Sequence, residues 1–117
     1  MANEITVGIS IAVSKGGLSD ARAESFKVTM TGDGITHSMQ TATTSWVLLV
    51  EAAAVGTAGW YFVKNLDGTN FVELGPADNQ FSIKLKAGES TVFRASDPIG
   101  VKADTASCNV EYLVIED

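Results

Sequence analysis

The chain holds one histidine, His37, and one cysteine, Cys108, and most familiar chemistries need more than that. A Ser-His-Asp relay would have to pass through His37, and no serine stands in a Gly-x-Ser-x-Gly elbow. A Cys108–His37 dyad would need an accessible thiol. Cys108 instead falls on the apolar parity of the last predicted strand, where a thiol behaves as a small hydrophobe. Zinc favours a tetrahedral set of nitrogen and sulfur donors, which one histidine and one cysteine cannot furnish. Asn65, Asp67 and Asn70 gather oxygens at short spacing, but calcium takes about 6–8 oxygens, several of them from carboxylates. One carboxylate beside Gly68 reads instead as a hairpin turn. Chance pairs among 14 acidic residues carry no weight as a glycosidase signature. Gly32-Asp33-Gly34 lacks the further glycines and the strand-to-helix setting of a phosphate loop. These residues predict no enzyme, no metal and no cofactor.

The aromatic residues are the remaining chemical candidates. Trp46, Trp60, Tyr61 and Tyr112 could stack on a sugar ring if one sheet face carried them together. Large apolar side chains more often fill a core, or anchor a subunit interface. Trp60 and Tyr61 are adjacent, so on a strand they point to opposite faces, and at least one of them is expected to meet solvent or another subunit.

The elements that would position these residues are strands. Ile5, Val7, Ile9, Ile11 and Val13 alternate with Thr6, Gly8, Ser10 and Ala12, which puts five branched side chains on one face. Lys15-Gly16-Gly17 breaks the pattern, and residues 18–24 read as a helical turn or a loop. Phe26, Val28 and Met30 alternate again, and Gly32-Asp33-Gly34 signals a turn. Ile35, His37 and Met39 predict a weaker strand near an edge. Residues 46–50 are apolar on both parities, as in a strand covered on both faces. Residues 51–58 read as a connection, because Gly56, Val55 and Thr57 are poor helix formers. Strands follow over residues 60–65, 71–74, 81–85, 92–94, 101–104 and 108–115. In the last, Cys108, Val110, Tyr112 and Val114 share one parity.

About nine short strands without a helix predict an all-β fold, an antiparallel β-sandwich for which the jelly roll is the natural candidate. An immunoglobulin-like sandwich, lacking its usual Cys-Trp-Cys framework, stands behind it. The 117 residues make a single β-sandwich domain. Residues 1–14 are either its first strand or an N-terminal arm able to add to a neighbour's sheet edge. A hydrophobic share of 45% with 19% charged residues fits a folded globule rather than a disordered chain. Eight basic residues against 14 acidic ones give a net charge of −6. No basic run or patch is visible, so nucleic acid is not an expected partner. No apolar run is long enough to span a bilayer, no secretory leader is expected, and a lone cysteine suits a reducing compartment.

Gly59-Trp60-Tyr61-Phe62-Val63-Lys64-Asn65-Leu66-Asp67 runs into Thr69-Asn70-Phe71-Val72-Glu73-Leu74-Gly75. It is followed by Phe81-Ser82-Ile83-Lys84-Leu85-Lys86-Ala87-Gly88-Glu89, Val92-Phe93-Arg94, Val101-Lys102-Ala103-Asp104-Thr105 and Val110-Glu111-Tyr112-Leu113-Val114. This C-terminal half resembles the small β-rich virion structural proteins of tailed bacteriophages, similar to capsid decoration (cement) proteins and related head or tail accessory proteins. The resemblance implies a jelly-roll-like sandwich, a homotrimer or other symmetric oligomer, and attachment to the major capsid protein or other virion proteins. It also implies synthesis in the host cytoplasm and residence in the virion. It carries no catalytic residues. The expected interface residues are Ile5, Val7, Ile9, Trp60 and Tyr61. A tail, fibre or baseplate component that binds host glycans is the alternative, with a free-standing carbohydrate-binding or enzymatic domain behind it.

Overall fold

The computed structural model describes residues 3–49 and 58–116. It is all-β, with ten strands among these residues: β1 (Ile5–Lys15), β2 (Leu18–Val28), β3 (Ile35–Ala42), β4 (Val47–Leu48), β5 (Ala58–Asn65), β6 (Val72–Gly75), β7 (Ile83–Leu85), β8 (Ser90–Arg94), β9 (Gly100–Ala103) and β10 (Cys108–Glu116). The chain divides into two compact units, Met1–Thr31 and Gly32–Asp117.

The first unit is a hairpin in which β1 and β2 pair along their whole length, from Ile5 opposite Val28 to Lys15 opposite Leu18. Gly16 and Gly17 form a two-residue loop, with Gly16 at φ +58°. A Cβ would strain that left-handed conformation, which is why glycine suits a tight hairpin here. The expected loop or helical turn over residues 18–24 is instead continuous strand. Ser19, Ala21, Ala23 and Ser25 alternate with Asp20, Arg22 and Glu24, a period of two that contains few apolar residues. Among the described residues β1 pairs only with β2, in a two-stranded sheet of its own.

The second unit is the sandwich. Its sheets run β3-β10-β5-β8 and β4-β9-β6-β7. The first strand of the unit pairs with the last, the second with the seventh, the third with the sixth and the fourth with the fifth: β3 with β10, β4 with β9, β5 with β8, and β6 with β7. Four nested antiparallel pairs folded over into two sheets define a jelly roll. β3 lies at a sheet edge, as its weak pattern predicts.

Period two sets what lies between the sheets. Tyr61 and Val63 of β5, Val72 and Leu74 of β6, Val101 and Ala103 of β9, and Cys108, Val110, Tyr112 and Val114 of β10 are buried together with Ala42, Leu49, Leu85 and Ile99. Fully burying one such branched side chain is worth about 1.5–3 kcal/mol. The parity read for residues 108–114 therefore holds.

Two local expectations are corrected. Residues 46–50 are not a strand covered on both faces: only Val47 and Leu48 are strand, both are exposed at a sheet edge, and Val50 lies outside the described residues. Leu49 alone enters the core. Asp67-Gly68 turns the chain but closes no hairpin, because β5 and β6 lie in different sheets. Most of residues 51–58 lies outside the described residues, and Ala58 already belongs to β5.

Candidate functional surfaces

The Asn65-x-Asp67-x-x-Asn70 signature sits at the corner where the chain leaves the first sheet for the second. Asn65 is fully buried. Its Nδ2 donates to the carbonyls of Asn70 (2.9 Å) and Leu85 (3.1 Å), and its Oδ1 accepts from the Asp67 amide (2.9 Å). Its main chain donates to the Glu89 carbonyl and accepts from the Gly88 amide. One amide side chain thus ties together two turns and the end of β7, with both of its donors and its acceptor engaged. Asp67 Oδ2 accepts from the amides of Thr69 (2.9 Å) and Asn70 (2.6 Å). Those two donors, Asn70 first, hold the carboxyl below its ordinary value. These oxygens are engaged by backbone amides and serve the turn.

His37 and Cys108 do not meet. On β3 and β10 His37 stands opposite Leu113, whereas Cys108 stands opposite Ala42, five rungs away and on the other face. His37 Nε2 lies 2.7 Å from Glu111 Oε2 on the outer surface. Cys108 is buried, with Sγ 3.4 Å from the Ala106 carbonyl. Desolvation pushes its thiol up, and the negative charges of Asp67 and Asp104 add to that, so a reactive thiolate is disfavoured.

The aromatics are spread over three environments. Tyr61 and Tyr112 are in the core. The Tyr61 ring stacks on Phe93 (centroids 5.4 Å apart, 6° between planes), and its hydroxyl accepts from the Ile99 amide at 3.4 Å. Trp60, on the opposite parity, lies on the outer face, with the Arg94 guanidinium 5.2 Å from its ring centroid. Trp46 covers Gly100 of the other sheet so closely that a Cβ there would enter the indole, and its Nε1 donates to the Gly75 carbonyl at 3.2 Å. No single face gathers the four rings.

The outer face of the first sheet is graded. Reading across β3, β10, β5 and β8, the register sets Ile35, Ile115, Trp60 and Arg94 in one row, and His37, Leu113, Phe62 and Val92 in the next. Met39, Glu111, Lys64 and Ser90 follow. Ile35, Met39 and Val92 are exposed, and Trp60, Phe62, Leu113 and Ile115 are half-buried. The outer face of the second sheet is polar at its centre, where Glu73 stands between Lys84 and Lys102. The two lysines lie over Phe71 and Phe81, respectively.

The two most exposed large apolar side chains among the described residues, Ile11 and Leu18, belong to the hairpin. Opposed residues of an antiparallel pair share a face. Ile9, Ile11 and Val13 of β1 therefore lie beside Glu24, Arg22 and Asp20 of β2. Ile9 is 49% exposed, Ile11 75%, Val13 54% and Leu18 71%. The other face carries only small residues from Gly8 to Ser14 and from Ser19 to Ser25. Of the residues expected at an interface, Ile9 and Trp60 reach the surface, Ile5 and Val7 are buried, and Tyr61 is a core residue. Ile11, Val13 and Leu18 are the apolar surface that reasoning from strand parity left out. The alternation through Val13 was the signal that could have extended it.

Compared with protein-family models, with curated proteins and with solved structures, the chain matches none. The class of protein is therefore set by the fold alone: a jelly-roll sandwich with an added β-hairpin.

Proposed function

We propose that this chain is a non-enzymatic virion structural protein of a tailed bacteriophage, a capsid decoration or cement protein that binds the assembled shell as a symmetric oligomer. The observation that carries the reading is the hairpin. An 11-residue strand paired with another of the same length leaves Ile9, Ile11, Val13 and Leu18 in water, and a two-stranded ribbon of this kind is marginal until something covers it. A net charge of −6 with no run of basic residues in the sequence suits the outside of a particle, away from the packaged genome. The major capsid protein is the proposed partner. An oligomer engages several shell subunits at once, so modest contacts combine into firm attachment, and binding to the assembled shell alone stabilises that shell by linkage.

The test is mass spectrometry of virions produced from the genome that carries the gene, together with the thermal disruption temperature of particles made without it. Stoichiometric presence and a lower disruption temperature on deletion are expected. Absence of the chain from purified particles ends the reading. The alternative of a glycan-binding tail component draws on Trp60 beside Phe62 and Arg94 on one outer face. It predicts a glycan-array signal that Trp60→Ala abolishes.

A further inference from the structure

We infer that a second copy of this chain pairs with β1 edge to edge, antiparallel, about a two-fold axis through Ile11, so that two hairpins make one four-stranded sheet in the order β2-β1-β1-β2. The inference is independent of the virion reading and concerns only how two copies meet.

The two edges of the hairpin differ. Residues 5–14 of β1 contain no charged residue and no proline, whereas β2 carries Asp20, Arg22, Glu24 and Lys27. Charged residues and prolines are the usual devices that keep an edge strand from pairing with another chain, so β2 is guarded and β1 is open. Among the described residues β1 has no strand partner other than β2. Every residue from Gly8 to Ser14 is exposed, so the bare stretch of edge coincides with accessible chain.

The stretch is also complementary to itself. With Ile11 on the axis, Ile11 opposes Ile11 of the second copy, Ile9 opposes Val13, Ser10 opposes Ala12 and Gly8 opposes Ser14. Apolar residues meet apolar ones on one face, and small residues meet small ones on the other. A shift by one residue would set the two faces against each other, which fixes the parity. Six branched side chains then form a central strip, flanked on both sides by the Asp20-Arg22-Glu24 rows.

Charge points to the same occupant. Glu4, Asp20 and Glu24 balance Lys15, Arg22 and Lys27 within Met1–Thr31, so the net charge of −6 belongs entirely to residues 32–117. Two copies repel through their sandwiches and do not repel through their hairpins.

The test uses the full chain. Light scattering is expected to give twice the 12.3 kDa chain mass. Ile11→Lys, which sets two ammonium groups together at the axis, is expected to raise the dimer dissociation constant by at least about tenfold. Leu18→Lys, remote from the axis, leaves it unchanged. Directly opposed strand residues lie about 4.5–5.5 Å apart between Cα atoms, within disulfide reach. Ile11→Cys should therefore give a covalent dimer under mild oxidation, faster than Leu18→Cys, and the buried Cys108 should not compete. A single-chain or threefold mass for the native protein overturns the inference. So does cross-linking of Ile11→Cys no faster than that of Leu18→Cys.

Discussion

Asn65 shows how one buried polar side chain can hold a corner. Removing it takes away the side-chain hydrogen bonds to the Asn70 and Leu85 carbonyls and from the Asp67 amide, and a buried group left without its partner costs about 1–3 kcal/mol. Asn65→Ala is therefore expected to lose about 2–4 kcal/mol in chemical denaturation. Asn65→Asp should cost at least as much, because a carboxylate would face two carbonyls. Asp67 makes a pH-dependent prediction. Its folded pKa lies below the ordinary 3.8 because the Asn70 and Thr69 amides favour the ionised form. The stabilisation is fully present above the unfolded value and is lost as pH falls through the folded one. The stability gap between the native chain and Asp67→Asn should be constant at neutral pH and close as denaturation is measured at progressively lower pH below about 4. A gap that widened with acid would contradict this.

At the scale of elements, the short outer strand β4 depends on what lies beside it. Trp46 precedes it and rests on Gly100, with its indole N–H on the Gly75 carbonyl. Any side chain at position 100 must displace the ring. Gly100→Val is expected to cost about 1–3 kcal/mol, and to move tryptophan emission to longer wavelength as the indole enters water. Leu74, fully buried at the centre of β6, should lose about 2–5 kcal/mol on Leu74→Ala, the range for a truncated core leucine. Glu116 has a comparable closing role: its Oε1 accepts from the Gly34 amide at 2.9 Å, and its own amide donates to the Gly34 carbonyl at 2.8 Å. This clasps the turn before β3 to the end of β10.

For the whole molecule, the division at Thr31 and Gly32 matters most. The sandwich has a core drawn from both of its sheets, whereas the hairpin has one sheet and exposed apolar residues. A chain of residues 32–117 is expected to retain the β-sheet circular-dichroism spectrum and a cooperative melt, and to lose attachment to the particle and self-association together. Retained attachment by a folded, truncated chain would assign docking to the sandwich, where the Ile35–Trp60 row is the apolar candidate.

Much of this was legible in the residues because strand parity is local. A period of two fixes which side chains share a face whatever the strand pairs with. Val110, Tyr112 and Val114 could therefore be placed inside, and Trp60 and Tyr61 on opposite sides, from their neighbours alone. The even alternation of β2 escaped because its two parities are small and charged rather than polar and apolar, so hydrophobicity carried no signal. Pairing is different in kind. A backbone amide bonds equally well to any strand, so nothing near Ile35 says that its partner is Ile115, and nothing near Trp46 says that it covers Gly100. The nested order of the strands, the task of Asn65 and the exposure of Ile11 were settled only when distant segments met, because burial and hydrogen-bond partnership are properties of the assembled sheets rather than of any stretch of chain.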